Sequence, residues 1–332
     1  MRIFIYIYLP LSALLILLSV NSVLAEDYQR RVDVQAYIDH LVEQHAFDRA
    51  YLEHKFKLAT KQERAIVAMD KPAEAKPWPE YKDIFITPLR ISGGVLFWQQ
   101  NKALLSKAEM EFGVPASLIV AIIGVETYYG KNTGSFPVFS TLVTLGFDYP
   151  RRADFFKREL TEFLLLCRQE SALQCDDLKG SYAGAMGVGQ FISSSYRSYA
   201  IDFDNDGIRD LWNSRADVIG SIANYIKRHG WMPAKPVGEY IELSGGDYEL
   251  LLNKQFKPWL SLADLAERNI TVGDFQPKEP IFSLFKFEKD NFNADYKVWT
   301  GYNNFYVITR YNHSHLYAMV IHQLSRLIEQ QH

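Results

Sequence analysis

Apolar residues recur every three or four positions along most of the chain up to about residue 235, a spacing typical of amphipathic helices. The spacing predicts one helix in VDVQAYIDHLVEQH and a second in FDRAYLEHKFKLA, which Asp48 would cap. A further helix is predicted to begin near Ser92 and to end at Gly113, and the next to begin at Pro115. Residues 70–83 contain three prolines and are predicted to form a surface connection.

From about residue 236 the pattern changes to an alternation of apolar and polar positions. The segments EYIELSGGDYELLL, IFSLFKFEKD and DYKVWTGY follow it, so a small sheet is predicted. One helix, SLADLAERN, would interrupt the strands with Ser261 and Asp264 as its capping pair. A helix in HSHLYAMVIHQLSRLIEQ closes the chain. The pattern therefore predicts a mainly α, α+β protein, and a length of 332 residues favours two or three subdomains.

The N-terminus indicates export. In MRIFIYIYLPLSALLILLSVNSVLA one basic residue, Arg2, precedes a long apolar run and a stretch of small residues that ends at Ala25, the pattern of a secretory signal peptide. The run is also long enough for an uncleaved membrane anchor, although Pro10 interrupts it. It contains no cysteine for lipid attachment, so a lipoprotein is not expected. The net charge of -3 gives no reason to expect nucleic-acid binding.

The chain contains two cysteines, Cys167 and Cys175. In an oxidising compartment they could close a small disulfide loop, or they could remain free thiols, and the spacing leaves both alternatives open. Two cysteines are too few to form a metal site by themselves.

The segment AIIGVETYYG places a carboxylate, Glu126, at the edge of a buried helical stripe. Ionised carboxylates are rarely buried without a partner or a role. Desolvation by apolar and aromatic neighbours would raise the pKa of Glu126 and keep it able to donate a proton, as a general acid must. A capped or paired structural glutamate is the alternative.

A glycine-rich segment, GSYAGAMGVGQFISSSY, spans residues 180–196. Its glycines would let the backbone approach a ligand closely, while Ser181 and Gln190 offer polar side chains. A tightly packed turn is the alternative. A phosphate-binding loop is disfavoured, because the segment lacks both the GxxxxGK[ST] and the GxGxxG patterns.

The segment DFDNDGIRDLWNSRADVIG resembles an EF-hand calcium loop in its first half. Positions 1, 3, 5 and 7 of such a loop are occupied by Asp202, Asp204, Asp206 and Ile208. Position 12 is Asn213 instead of a bidentate glutamate, so we expect Asp217 to close a longer loop. A structural calcium ion is the prediction, and a solvated acidic turn is the alternative.

Five motifs in this order resemble the lytic murein transglycosylase B family, bacterial enzymes that cleave peptidoglycan: GVETYYG, YPRRADFF, GSYAGAMGVGQF, DFDNDGIRDLW and NNFYVITRYNHS. FITPLRISGGVLFW resembles it too, so the similarity runs from about residue 30 to the C-terminus. The resemblance implies a lysozyme-like core flanked by a helical domain and a small β-containing domain. The implied division is a signal peptide at 1–25, a helical domain at 26–105 completed by 314–332, the core at 106–235 with 302–313, and the β-containing domain at 236–301.

The resemblance also implies roles for individual residues. Glu126 falls on the single catalytic acid/base. The groove-lining positions fall on Arg151, Arg152, Ser181, Gln190, Tyr225, Tyr311, Asn312 and Tyr317. The ion site falls on Asp202, Asp204, Asp206, Ile208 and Asp217. The chain departs from the family at Tyr128, where the family often has Arg, which removes a possible charge near the acid.

The chemistry implied is cleavage without water. Ordinary glycosidases need two carboxylates, and the best second candidate, Asp148, is more typical of a turn residue. One carboxylate suffices if the sugar's own C6 hydroxyl attacks C1, which gives a 1,6-anhydro product. A muramidase-type hydrolase and a noncatalytic peptidoglycan-binding protein are the alternatives. We expect a periplasmic monomer that binds glycan strands and needs no cofactor for chemistry, with cell-wall synthesis or division proteins as further candidate partners.

Overall fold

The computed structural model describes residues 28–70, 76–170, 172–289 and 296–332. The predicted signal segment, residues 1–25, lies outside the described residues. The N-terminal helices are α1 (Val32–His45), α2 (Arg49–Leu58), α3 (Glu63–Met69), α4 (Trp78–Phe85) and α5 (Pro88–Gln100). The central helices are α6 (Lys102–Phe112), α7 (Ala116–Thr127), α8 (Val138–Asp148), α9 (Ala153–Gln169), α10 (Ser193–Tyr199) and α11 (Arg215–Arg228). The C-terminal helices are α12 (Leu262–Glu267), α13 (Asn303–Tyr311) and α14 (His315–Gln331).

The strands are short and antiparallel. They are β1 (Phe136–Pro137), β2 (Lys179–Gly180), β3 (Gly238–Ile241), β4 (Leu243–Ser244), β5 (Thr271–Val272), β6 (Ser283–Glu288) and β7 (Tyr296–Gly301). The largest sheet has the order β3-β7-β6, and Trp299 of β7 lies opposite both Tyr240 and Phe285. The other two pairs are β1 with β2 and β4 with β5. The predicted mainly helical fold with a small sheet after residue 236 is therefore confirmed.

Helix α7 lies at the centre of the protein. Every residue from Ala116 to Gly124 is buried, because the helix is apolar on all sides and packs against α5, α6, α11 and α14. Only at its C-terminal end does burial weaken, where Val125 and Glu126 are partly exposed. Within the described residues no single helix is both long and apolar enough to span a membrane; α6 and α7 pass that test only as a pair bent by 115°.

The β-containing part of the chain has an apolar cluster of its own, separate from the main core. Its buried members are Ile241, Leu251, Leu260, Leu265, Ile270, Phe282, Leu284, Val298 and Tyr302. A separate cluster is what an independent small domain would need. The domain boundaries given above stay a prediction.

Several predicted helix ends are confirmed by their contacts. The Asp48 side chain accepts a hydrogen bond from the Tyr51 amide at 2.7 Å. Ser261 and Asp264 form a reciprocal capping box on α12. Gly113 ends α6 in the left-handed conformation, with φ of 67°.

Two predictions about helices were wrong. The segment predicted as one helix from Ser92 to Gly113 forms two helices. The first, α5, begins earlier and is capped by the Thr87 hydroxyl, and helical geometry is interrupted at Asn101, where α5 ends and α6 begins. The proline-rich connection also contains a helix, α4. Pro77 lies at its N-cap and the next proline in its first turn, where a missing backbone N–H costs nothing.

Cys167 and Cys175 form a disulfide. The bond joins the last turn of α9 to the segment that leads into β2, and Asp176, the next residue, pairs with Lys55 of α2. The sequence had left a disulfide loop and two free thiols as alternatives, and the structure has the disulfide.

Tyr129 fills the space between α5 and α7. Its hydroxyl donates to the Arg90 carbonyl at 2.6 Å, and a methyl group added at Gly124 would lie 2.6 Å from the Tyr129 Oη atom. Gly124→Ala is therefore expected to displace Tyr129 and to lower the free energy of unfolding by about 1–3 kcal/mol. Denaturant unfolding measures the change. Gly273→Ala, where the added methyl meets nothing within 4 Å, is the control, and equal stability of the two variants would contradict the packing described.

Candidate active site

Glu126 lies in the last turn of α7 and is partly buried. The Tyr317 hydroxyl, from the first turn of α14, donates a hydrogen bond to the Glu126 Oε1 atom at 2.6 Å. Ser314 caps α14 by accepting the Tyr317 amide at 3.2 Å, which fixes the direction of that helix at the site. The start of α14 thus holds the carboxylate at the end of α7 in a defined orientation.

The tyrosines predicted to line a groove form a continuous group beside this carboxylate. The Tyr311 ring is parallel to the Tyr317 ring, with 6.4 Å between centroids. The Tyr225 ring packs edge-on against Tyr311 at 4.9 Å. Their hydroxyls donate to backbone carbonyls, Tyr311 to Gly189 and Tyr225 to Arg310, each at 2.5 Å. These contacts join the glycine-rich segment, α11, α13 and α14 at one place.

The protonation of this group is set by its surroundings. Burial, followed by the nearby charge of Glu126, raises the pKa of Tyr311 and of Tyr317 well above the usual tyrosine value. Tyr317 therefore stays protonated at any physiological pH and remains a hydrogen-bond donor to Glu126. His229 stacks on Tyr225 at 4.1 Å, and desolvation lowers the pKa of the His229 imidazole.

Thr127 is a site residue that the sequence did not identify. Its hydroxyl donates to the Val188 carbonyl at 2.9 Å and accepts the Gly130 amide at 3.0 Å. The hydrogen bond to Val188 anchors the glycine-rich segment to α7 directly beside Glu126. The available signal was its place in GVETYYG on the buried side of the helix. Gln190, with φ of 52°, donates its side-chain amide to the carbonyls of Thr133 and Gly187.

The glycine-rich segment is a tightly packed turn. The Ser181 Oγ atom accepts the amide of Ala185 at 3.0 Å and so orders its own loop. A methyl group added at Gly187 would lie 2.5 Å from the Leu211 carbonyl oxygen, and one at Gly180 would clash with the Ala185 carbonyl. The glycines therefore allow backbone to pack against backbone, the alternative that the sequence had left open.

Three more residues are predicted to line the groove, namely Arg151, Arg152 and Asn312. Arg151 is 77% exposed and pairs with Asp70 at 3.1 Å, while the Arg152 guanidinium lies 4.3 Å from the Phe155 ring centroid. Asn312 follows the end of α13 and is partly exposed. The roles of these three residues in binding stay predictions.

Asp148, the candidate second carboxylate, is engaged elsewhere. Its Oδ1 atom pairs with the Arg31 guanidinium and its Oδ2 atom accepts the Tyr28 hydroxyl, each at 2.5 Å. The side chain is only 11% exposed. The carboxylate ties the start of the described chain to α8, a structural role.

The surroundings of Tyr128 contain charges that the sequence did not identify. Two cations lie over its ring. The Arg90 Cζ atom and the Lys131 Nζ atom are each 5.0 Å from the ring centroid. Positive charge is thus present two residues after Glu126 without an arginine at position 128.

The acidic loop has a geometry that fits a calcium ion. Asp202, Asp204 and Asp217 each place a carboxylate oxygen within 4.8 Å of the others. Oxygens that share an ion at Ca–O distances of about 2.3 to 2.6 Å can lie this close together. The Asp206 carboxylate instead accepts the Ile208 amide at 2.8 Å, so the predicted roles of these two residues stay predictions.

Asp217 is the buried member of this cluster. Its two oxygens accept the amides of Phe203 at 2.7 Å and Asp210 at 2.8 Å. Burial raises the pKa of the Asp217 carboxyl despite these hydrogen bonds, and the charges of Asp204 and Asp202 add to the effect. A bound cation would offset this cost.

Comparison with known proteins agrees with the geometry. The family model described as Transglycosylase SLT domain matches residues 29–326. The membrane-bound lytic murein transglycosylase B of Escherichia coli (strain K12) is 39% identical over 320 residues, covering 91% of this chain and 84% of that protein. The X-ray structure of the catenated lytic transglycosylase SltB1 of Pseudomonas aeruginosa has a TM-score of 0.84 at 42% identity, covering 92% of this chain and 99% of its own.

Two further solved structures hold ligands. The Escherichia coli lytic transglycosylase Slt35 in complex with calcium has a TM-score of 0.80 at 38% identity, covering 92% of this chain and 95% of its own. SltB3 of Pseudomonas aeruginosa in complex with NAG-anhNAM-pentapeptide has a TM-score of 0.73 at 28% identity, covering 89% of this chain and 79% of its own. The predicted lysozyme-like fold is confirmed by these likenesses. The chain belongs to the Transglycosylase SLT domain family, as a lytic murein transglycosylase.

Proposed function

We propose that this enzyme cleaves the β-1,4 bond between N-acetylmuramic acid and N-acetylglucosamine without water, leaves 1,6-anhydro ends, and uses Glu126 as its single acid/base. The observation that carries the proposal is the hydrogen bond from Tyr317 to Glu126 beside the tyrosine group. The ion pair of Asp148 with Arg31 and its hydrogen bond from Tyr28 support the proposal, because the best candidate for a second carboxylate thus has a structural role.

The mechanism follows from one carboxylate. A glycosidase that uses two carboxylates holds them about 5 to 9.5 Å apart. With a single carboxylate, Glu126 first donates its proton to the bridging oxygen, and the muramyl N-acetyl group stabilises the positive charge that forms at C1. The ionised Glu126 then accepts the proton of the C6 hydroxyl, whose oxygen attacks C1 and closes the 1,6-anhydro ring. Glu126 ends protonated, so no water is consumed.

Neighbouring residues orient the strand and the acid. Tyr317 holds the Glu126 carboxylate for both proton transfers, and the partly exposed Tyr311 ring offers a face for a sugar. Tyr225 is buried under His229, so its part in the groove is to support the Tyr311 ring. The proposed groove is lined by Arg151, Arg152, Ser181, Gln190, Tyr225, Tyr311, Asn312 and Tyr317. It would lie between the lysozyme-like core and its flanking domains, with the boundaries given above.

Tyr317→Phe removes the hydrogen bond to Glu126 and keeps the ring that lies parallel to Tyr311. Because hydrogen bonds to charged groups contribute about 1.5–3 kcal/mol, kcat is expected to fall about tenfold to a hundredfold. Steady-state kinetics on purified peptidoglycan measures the change. Tyr51→Phe, at an exposed position on α2, is the control, and equal kcat values for both variants would contradict the positioning role.

The product itself tests the proposal against the hydrolase alternative. A 1,6-anhydro end has no hemiacetal, so borohydride cannot reduce it, whereas a hydrolase leaves a reducible end at every cut. We expect soluble fragments released by the enzyme to take up no label from labelled borohydride. Labelling of each released chain end would show a hydrolase.

The ion is proposed to be structural calcium, bound by Asp202, Asp204 and Asp217, with Asp206 and the Ile208 carbonyl as the remaining predicted ligands. The three clustered carboxylates support this assignment, as does the calcium complex of Slt35. Asp217 lies in the first turn of α11, where the ion would fix the acidic loop to that helix. No step of the reaction involves it.

The enzyme is proposed to act as a monomer in the periplasm after export through the predicted signal segment. The relative named membrane-bound lytic murein transglycosylase B supports a place in the cell envelope. Murein strands are the proposed substrate, supported by the SltB3 complex with a glycan-peptide fragment. Cell-wall synthesis or division proteins are the further partners predicted.

A further inference from the structure

Two cations lie over one aromatic ring beside the proposed acid. Tyr128 ends α7 in the left-handed conformation, with φ of 52°, two residues after Glu126. The Arg90 guanidinium and the Lys131 ammonium each lie 5.0 Å from its ring centroid. Tyr128 and Arg90 are partly exposed and Lys131 is exposed, so part of this cationic cluster can be reached by a ligand at the C-terminal end of α7.

Arg90 is held in place by several contacts that leave its charge uncompensated. It stacks on Phe85 at 5.3 Å and donates from Nη1 to the Ile84 carbonyl at 2.5 Å. Its Nε atom is buried and has no hydrogen-bond partner, and desolvation lowers the pKa of the guanidinium. Across the described ranges no carboxylate pairs with Arg90 or with Lys131.

Other arginines of the protein show the usual arrangement. Arg31, Arg197 and Arg209 are each partly buried, and each pairs with a carboxylate. A partly buried cation without such a partner costs free energy, and near an active site this cost indicates a ligand of opposite charge. Because the Arg90 Nε atom is buried and Nη1 donates to Ile84, a ligand carboxylate would meet this guanidinium at Nη2, through one charge-assisted hydrogen bond.

The substrate offers one kind of negative charge. The N-acetylated sugars of a murein strand are neutral, whereas the attached peptide ends in a carboxylate. We propose that Arg90 and Lys131, held on Tyr128, bind a carboxylate of the peptide that the strand carries next to the bond cleaved by Glu126. This specificity role rests on the proposed function, and it concerns substrate binding and not the chemical step.

The test compares two substrates and two enzymes. Murein fragments are prepared with their peptide carboxylates free or converted to amides, and cleaved by the wild type and by the double variant Arg90→Gln, Lys131→Gln. We expect the wild type to have a KM about tenfold lower for the free-acid fragment, with kcat unchanged, and the double variant to lose this preference. Added salt should weaken the wild-type preference, because the Lys131 side chain is exposed.

Further variants separate binding from folding. Lys131→Gln alone changes an exposed side chain and should lose part of the preference at an unchanged melting temperature. Arg90→Lys keeps the charge and should retain part of the preference for the free-acid fragment. Lys57→Gln, at an exposed position on α2, should behave as the wild type. A preference that survives in the double variant, or is missing from a wild type that produces anhydro ends, overturns the inference. A wild type that produces no anhydro ends overturns the proposed function as well.

Discussion

Replacing Glu126 with Gln is expected to lower kcat for peptidoglycan cleavage by about 10²- to 10⁴-fold, the usual contribution of a general acid or base. The amide can neither give a proton to the bridging oxygen nor take one from the C6 hydroxyl. Its carbonyl oxygen can still accept the Tyr317 hydroxyl, which donates at 2.6 Å to the carboxylate. Glycan binding and the melting temperature are therefore expected to stay unchanged.

The control for this variant is Glu109→Gln, at an exposed position on α6. It changes charge by the same amount without touching the site, so its kinetics should match the wild type. Cleavage by Glu126→Gln at the wild-type rate would show that another group supplies the proton. Loss of glycan binding together with cleavage would instead show a binding role.

Replacing Asp217 with Ala is expected to lower the free energy of unfolding by about 3 kcal/mol or more, because two backbone amides in buried surroundings lose their acceptor. These are the amides of Phe203 and Asp210. The variant also loses one of the three clustered carboxylates. Chelation should therefore lower the melting temperature of the wild type and leave that of the variant unchanged.

The exposed Asp177→Ala variant is the control and should keep the wild-type response to chelator. A wild type whose melting temperature responds to neither calcium nor chelator would contradict the structural-ion proposal. Normal stability of Asp217→Ala would contradict the role of its hydrogen bonds as well.

The same carboxylate predicts a pH dependence. Burial raises the folded-state pKa of Asp217 above its usual value of 3.8, so without calcium its contribution to stability is lost as pH rises through the folded pKa. Calcium binds the ionised form. The gain in melting temperature on adding calcium should therefore grow over this pH rise, and a gain independent of pH would contradict the assignment.

Local features of the site could be predicted from the sequence. The place of Glu126 at the end of a buried apolar helix follows from the sequence, and so does the cap at Asp48. The clustering of the Asp202, Asp204 and Asp217 carboxylates could also be predicted, because the spacing of acidic residues around a turn limits how such a loop can close. The Asp206 carboxylate accepts the Ile208 amide, and its role as an ion ligand stays a prediction.

The contacts that complete the site could not be predicted from the sequence, because they join residues far apart in the chain. Tyr317 lies 191 residues from Glu126, and no periodicity encodes their hydrogen bond. Arg90 of α5 lies over Tyr128 at the end of α7, and Tyr129, which packs between these helices, donates to the Arg90 carbonyl. The spacing of apolar residues also continues through Asn101, which is the C-cap of α5 and the N-cap of α6, so it could not reveal that two helices meet there.

The most direct test of the single-carboxylate mechanism is mass analysis of fragments released from purified peptidoglycan in heavy-oxygen water, with wild type and Glu126→Gln side by side. A single-carboxylate mechanism predicts anhydro fragments one water lighter than hydrolysis products, without heavy oxygen, and almost none from the variant. Wild-type fragments that carry heavy oxygen at the cleaved end would contradict it, because water would then be the attacking group.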